Sequence, residues 1–322
     1  MVIWMVAFFS IIAMALSARG AASLSRTARF MQDLKTQELA KSAIEHAHSV
    51  LEADQNAQSA EVDGLKDDWA KPYRFEIDNP QSLGLALSHE SEIPLIANEA
   101  IVWRMTDEER KLPLNTMSQP MLTRFIVSQA ELVQDKAAAL ADAVLDWRDE
   151  DSDAHPEGAE DFDYRGGSGG YECKDAPFEN VEELLLVRGM TPAVYARLAP
   201  FLTVYGTGRL NINTADEAGL SALGLSSQGI AGVLVYRLGG DGAAGTADDR
   251  LIDSPQIIIG ELAPFVPDKE LALLSPLIQE ELLDVKSTAF RITVTAPSSS
   301  GRHAVSLTAV INREGDILEW GG

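Results

Sequence analysis

Residues 1–18, MVIWMVAFFSIIAMALSA, are apolar all round, with no charge, proline or glycine. About 20 such residues span a bilayer as a helix, so this run is at the short end of sufficient. Arg19, Arg26 and Arg29 follow it, and the apolar positions then thin to helical spacing at Leu24, Ala28, Met31, Leu34, Leu39, Ala43, Ala47, Val50 and Leu51. With no proline before Pro72, the pattern predicts one helix to about Glu52, roughly 80 Å long at 1.5 Å per residue. A cleaved secretory signal is the bland reading. It lacks a basic segment ahead of Val2 and any break after the apolar run.

Further along, Asp63 to Asn79 is polar, carries Gly64 and Pro72, and is taken for a linker. EAIVWRM at 99–105 alternates as a strand does, and KLPLN at 111–115 is taken for another. From about Gln119 to Leu283 the chain predicts helices separated by acidic, glycine-rich loops. The period then returns to two: FRITVTA at 290–296 and AVSLTAVI at 304–311 alternate across the turn PSSSG at 297–301, and 316–320 supplies a third strand. The late strands need partners, and the early candidates all lie before residue 116. An antiparallel sheet split by a helical insertion satisfies both. KLPLNT at 111–116 echoes RLNINT at 209–214, each followed by helix and acidic loop, which predicts a duplicated helical module.

Composition narrows the partners. The chain of 322 residues has a formal net charge of −23, which repels nucleic acid and anionic lipid head groups. A hydrophobic fraction of 46% suits a folded body. The single cysteine, Cys173, forms no intrachain disulfide, and its glycine-rich surroundings suggest a flexible bystander.

Nine acidic residues fall in the eighteen positions 146–163, DWRDEDSDAHPEGAEDFD. Calcium takes six to eight oxygen ligands in flexible geometry. Asp149, Asp151 and Asp153 are candidate ligands on one side of the Pro156–Gly158 turn, with Glu160, Asp161 and Asp163 returning from the other. A solvated acidic loop is the plain alternative. A second loop, GDGAAGTADD at 240–249, offers Asp241, Asp248 and Asp249 on the same terms. LNINTA at 210–215 with its following helices resembles a helix-hairpin-helix, but no Lys or Arg lies between Asn211 and Tyr236, so it reads as a structural hairpin rather than a DNA site. The five histidines, His46, His48, His89, His155 and His303, are scattered, and no catalytic constellation emerges.

Taken in order, several segments resemble the K-type minor pseudopilins of bacterial type II secretion, the general secretion pathway protein K family. These are Trp4 in the apolar start, DEERKLPLN at 107–115 (with Pro113 where the family has asparagine), LDWRDED at 145–151, GAED at 158–161 with Tyr164, APFENVEEL at 176–184, VRGM at 187–190, LNINTA at 210–215 and VKSTAFR at 285–291. The resemblance covers nearly the whole chain. It implies an α+β, pilin-like fold: a long N-terminal helix on an antiparallel sheet with a large, mostly helical domain inserted in the sheet.

On that basis residues 1–18 are expected to be the membrane part of the helix. Residues 19–118 are its amphipathic part and the first part of the sheet, 119–284 the inserted acidic domain, and 285–322 the strands completing the sheet. The resemblance further implies a non-enzymatic subunit at the tip of the pseudopilus, initiating assembly or limiting its length. Its implied partners are the I- and J-type minor pseudopilins, with the H type as a further candidate, and a prepilin peptidase. It implies single-pass anchoring in the inner membrane, a periplasmic body, N-terminal methylation, and structural Ca²⁺ in the first acidic loop. Relative to the family, the sequence is expected to start several residues inside the mature segment. The alternative is a membrane-anchored periplasmic calcium-dependent binding module of adhesin type.

Overall fold

A computed structural model describes Trp4, Met5, Met14, Arg19, Glu38 and residues 41–56, 61–78, 84–89, 100–165, 170–297 and 304–321. The expected membrane segment lies largely outside these residues. Among the described residues no helix is long and apolar enough to cross a membrane.

Helix α1 (41–55) buries Ala43, Ile44, Ala47 and Leu51, one stripe at three- and four-residue spacing. The stripe lies on a six-stranded antiparallel sheet of order β10-β9-β8-β3-β1-β2. The strands are β1 (Tyr73–Asp78), β2 (Gly84–His89), β3 (Ala100–Asp107), β8 (Ala289–Pro297), β9 (Ala304–Asn312) and β10 (Ile317–Gly321). Alternate residues face the helix, as strand geometry requires: Ile101, Trp103 and Met105 from β3, Phe290, Ile292, Val294 and Ala296 from β8, Ala309 and Ile311 from β9. Their register is tight, with Trp103 opposite Val294 and Met105 opposite Ile292. Tyr73 stacks on Trp103 with ring centroids 4.3 Å apart, and Trp69 meets the edge of Phe290 at 5.1 Å.

Two expectations need correction. The stretch 63–79 is not a plain linker: Asp63 is buried and β1 runs from Tyr73. Alternating aromatic and charged residues next to a proline hid a strand that has β2 and β3 as neighbours. Nor does 111–115 join the main sheet. Strand β4 is only Leu112–Pro113 and pairs in parallel with β5 (Leu202–Thr203) inside the helical region. Pro113 has no N–H to give a central ladder.

Strands β3 and β8 are neighbours in the sheet, yet everything from Glu108 to Thr288 lies between them in sequence. That stretch forms a separate core built on α2 (Gln119–Ala130), α3 (Gln134–Arg148), α4 (Asp161–Arg165), α5 (Pro192–Leu198), α6 (Glu217–Ala222), α7 (Ser227–Arg237), α8 (Ile258–Leu262) and α9 (Asp268–Gln279). It is made of two similar modules. In each, a two-residue strand leads into helices and a loop, and the module closes with a second short strand parallel to the first. The pairs are β4 with β5, and β6 (Leu210–Asn211) with β7 (Leu283–Asp284).

Side chains repeat as well. The Asn115 amide accepts from Phe178 N at 2.8 Å and donates to Phe178 O at 2.9 Å. Asn213 does the same with Ile252, at 2.9 and 3.0 Å. Arg148 donates to Leu114 O and Met117 O, and Arg237 to Ala215 O, the position matching Met117. Each asparagine therefore clasps the far end of its module's loop, and each arginine tethers the helix before that loop. Asn213→Ala leaves the buried N–H and C=O of Ile252 without partners. A loss of about 2–6 kcal/mol is expected at about 1–3 kcal/mol per orphaned group. Urea unfolding measures it, and a change inside about 0.5 kcal/mol would make the clasp dispensable.

Candidate functional site

The first acidic loop leaves the C-terminus of α3 and folds back over it. Asp142, Asp146 and Asp149 stand at four- and three-residue spacing, so they share a face of the helix end. Asp146 is fully buried. Its Oδ1 accepts from the His155 amide at 3.1 Å and pairs with His155 Nδ1 at 2.5 Å, while Oδ2 accepts from Ala159 N at 2.5 Å. A Cβ at Gly158 would sit 1.8 Å from Asp146 Oδ2, which is why that turn carries glycine. The bond to Asp146 raises the His155 pKa. Arg188, in the VRGM segment, holds the loop from outside through Asp163 Oδ1 at 2.8 Å and the carbonyls of Glu157 and Gly158. Trp147, Tyr164 and Tyr171 form an aromatic wall, with Trp147 and Tyr164 centroids 5.3 Å apart.

Two groups of ligand atoms converge here, each within 4.8 Å: Asp146, Asp149 and His155, and Glu160, Cys173 and Asp175. Glu160 is 7% exposed, and both of its carboxylate oxygens are buried without a hydrogen-bond partner. Asp149 Oδ1 and Asp175 Oδ1 are orphaned in the same way. Burial, then the charges of Asp146, Asp175, Asp149 and Asp151, push Glu160 up to about 7. Burial first and then Asp151 and Asp146 raise Asp149. Buried carboxylates without donors are strongly unfavourable as bare anions, so they either take a proton or face a cation. Hard oxygen donors of this kind fit Ca²⁺.

Of the candidates read from sequence, Asp149 and Glu160 meet this description. Asp151 and Asp153 are exposed, and Asp151 Oδ1 accepts from the Asp153 amide at 2.9 Å. Asp161 is engaged by Arg165 at 2.7 Å and by the Cys173 amide at 2.9 Å, and Asp163 by Arg188. Asp146, His155, Cys173 and Asp175 were not among the candidates. The helical spacing of Asp142, Asp146 and Asp149 was the available signal for the first of them. Cys173 also needs correction: it is buried at 8% exposure, with Sγ 3.5 Å from Asp146 O; Asp161 Oδ1 holds its amide, and the Lys174–Glu183 ion pair and the Asn115 clasp at Phe178 fix the chain that follows.

The second acidic loop is closed by its own amides. Asp248 Oδ2 accepts from Gly240 N at 2.6 Å and Asp241 N at 3.1 Å, and Oδ1 accepts from Thr246 Oγ1 at 2.7 Å. Asp249 Oδ2 accepts from Gly245 N at 2.7 Å, and Asp241 Oδ1 from Ala243 N at 2.8 Å. The Thr246 hydroxyl and these amides hold Asp248 down at about 2. Asp241, Asp248 and Asp249 thus have donors already.

A helix on an antiparallel sheet, with a duplicated helical body grafted between adjacent central strands, defines a pilin-like α+β fold. A family model described as type II secretion system protein K matches residues 100–207. Proteins named type II secretion system protein K are similar in sequence. One from Klebsiella pneumoniae is 29% identical over 227 residues, covering 69% of this chain and 67% of its own length. One from Aeromonas hydrophila is 28% identical over 156 residues, covering 42% and 47%. The crystal structure of the GspK-GspI-GspJ complex from enterotoxigenic Escherichia coli contains a chain of the same fold. It superposes with a TM-score of 0.66 at 20% identity over 92% of this chain and 99% of that one. The match to protein K of type II secretion systems thus rests on residues 100–207, with sequence similarity to its relatives extending over 227 residues.

The pH response of the ion-free corner follows from Glu160. Its folded pKa of about 7 lies above the ordinary 4.5, so its contribution is full below the unfolded value and is lost as pH rises through about 7. In chelator, the melting temperature of the chain is expected to fall between about pH 5 and pH 8, and Glu160→Gln to flatten that slope. An unchanged slope in the variant would remove Glu160 from the account.

Proposed function

We propose that this chain is a structural, non-enzymatic subunit at the tip of a type II secretion pseudopilus, where it initiates assembly or limits length. The observation that carries the reading is the graft of a bulky helical body into the middle of a pilin sheet. Pilin subunits stack along a fibre, and a body of this size beyond the sheet meets the next subunit everywhere except at an end. The proposed partners are the I- and J-type minor pseudopilins, by analogy with the complex of the structural neighbour, with the H type and a prepilin peptidase as further ones. The apolar run 1–18 would anchor the chain in the inner membrane with the body in the periplasm.

Ca²⁺ is proposed as a structural ion of the first acidic loop, held by the unpartnered oxygens of Asp149, Glu160 and Asp175. Bound there, it supplies the positive charge that these buried carboxylates lack. The residues themselves order the loop: Asp146 gathers the amides of His155 and Ala159, and Arg188 clamps the outer turn.

The full chain in detergent is expected to co-elute in a stoichiometric complex with the I- and J-type minor pseudopilins of the same organism. Calcium at about a hundred times its dissociation constant adds about 2.7 kcal/mol of stability, so EDTA is expected to lower the melting temperature and weaken the complex. A well-folded chain that elutes alone with calcium present would remove the tip role and favour a periplasmic calcium-dependent binding module.

A further inference from the structure

The junction between the sheet and the inserted body buries more negative charge than it pairs. Asp63, Asp107 and Glu109 are each 1% exposed, and Asn211 and Ser287 beside them are fully buried. Arg313 is taken by Asp63, by Asp54 at 3.1 Å and by the Ser287 carbonyl at 2.7 Å. Among the described residues, the donors that reach Asp107 and Glu109 are neutral.

The two carboxylates differ in which partners are able to turn around. Glu109 accepts from the amides of Thr207, Thr288 and Ala289, and an amide N–H only donates. Asp107 Oδ1 likewise takes an amide, that of Glu109 at 2.7 Å. Its Oδ2 instead meets two hydroxyls, Thr214 Oγ1 at 2.5 Å and Ser287 Oγ at 2.7 Å. Ser287 Oγ already accepts from Asn211 Nδ2 at 2.8 Å, so its proton goes to Asp107. Thr214 has a choice: the Asn211 carbonyl stands 3.5 Å from its hydroxyl as a second acceptor.

We propose that Asp107 is a proton-operated latch on the inserted body, closed with a proton on Oδ2 and loosened when that proton leaves. In the closed form Oδ2–H donates to Thr214 Oγ1, and the Thr214 proton turns to Asn211 O. Deprotonation reverses Thr214 and leaves an anion with neutral partners inside the junction, which opening to water relieves. Burial, opposed by the Thr214 and Ser287 bonds and reinforced by the charge of Glu109, pushes Asp107 up to about 7. The other charges around the latch are Asp54 from α1, Asp63 and Asp67 after it, Lys286 before β8 and Arg313 after β9. The second module adds Arg237, on Ala215 O at 2.7 Å. Asp67 is itself raised, to about 6, chiefly by burial. Because the closed-state value for Asp107 lies above the ordinary 3.8, the latch stabilises fully below the ordinary value and is lost as pH rises through about 7. It works whether or not the first acidic loop takes an ion.

Amide hydrogen exchange of the full chain in detergent, read on peptides covering 107–110 and 284–289, measures the opening. Rates are divided by the intrinsic rate at each pH, and Glu160→Gln is the background, since Glu160 also lies at about 7. Protection is expected to fall by up to about tenfold per pH unit between about pH 5 and pH 7, then to level off. Asp107→Asn, which keeps the shape of the neutral acid, is expected to remove that fall. A fall that survives in Asp107→Asn belongs to another group, Asp67 foremost, and overturns the inference, as does junction protection that is level with pH in the background chain.

Ser287→Ala decides the matter if the asparagine variant does not fold. It removes a donor that favours the anion, so the levelling point is expected to move up by about one pH unit. A purely structural role for Ser287 would lower protection by the same factor at every pH, and a levelling point that stays in place overturns the latch.

Discussion

Asp107 is the last residue of β3, and everything beyond the sheet depends on how its carboxylate is held. Oδ2 accepts from Thr214 Oγ1 at 2.5 Å and Ser287 Oγ at 2.7 Å, and Oδ1 accepts from the Glu109 amide at 2.7 Å. Those donors come from the second module, from the link that leads back into the sheet, and from the turn that leads out of it. Glu109 ties the same points a second time, accepting from Thr207 N at 2.8 Å, between the modules, and from Thr288 N and Ala289 N, at the return. Asp63 adds the segment after α1, accepting from Ser287 N at 2.7 Å and pairing with buried Arg313, which also reaches Asp54 at 3.1 Å. A graft that enters and leaves through neighbouring strands is a closed loop, so its two ends must be locked together for the body to have a fixed attitude. Each such bond is worth only about 1 kcal/mol net, but an orphaned partner costs about 1–3 kcal/mol, which makes the junction close to all-or-none.

The duplicated modules separate scaffold from site. The asparagine clasps, the arginine tethers and the parallel strand pairs recur in both copies. The loops between tether and clasp do not. The loop of the second copy satisfies its carboxylates with its own amides and the hydroxyl of Thr246. The longer loop of the first has spent its arginines and amides on Asp146, Asp161 and Asp163, and leaves the buried Glu160 and one oxygen each of the half-buried Asp149 and Asp175 without donors. Two acidic loops therefore end in opposite chemistry, because the supply of donors as well as the number of acids decides whether oxygens are left unpartnered.

The same distinction explains what the sequence made legible. The alternation of 290–296 and 304–311 reports directly on one buried face, and β8 and β9 follow it closely. The echo of KLPLNT in RLNINT marks two structurally matched strands, but two residues of pairing cannot say which strand lies opposite, and β4 was assigned to the wrong sheet. In the acidic loop, local spacing shows where charge is dense. Which oxygen faces inward is set by Arg188, from far along the chain, and by Gly158, whose missing side chain admits Asp146. Cys173 reads as mobile among glycines because the groups it packs against, Asp146, Ala159 and Asp161, lie 12 to 27 residues earlier in the chain.

The direction of α1 gives the steric argument its axis. Asp54 lies at the C-terminal end of that helix and pairs with Arg313, which follows β9 at the level where β8 begins and β3 ends. The inserted body therefore continues beyond the C-terminal end of α1, not from the flank of the sheet. In a fibre whose subunits bundle their N-terminal helices, such a body projects along the growth direction into the volume of the next subunit. An insertion at an edge strand such as β10 would project sideways and leave the axial contact open. Placing the graft between β3 and β8, and fixing it at Asp107, sets the bulk beyond the end of α1 rather than at the flank of the sheet, and the proposed terminal position rests on that placement.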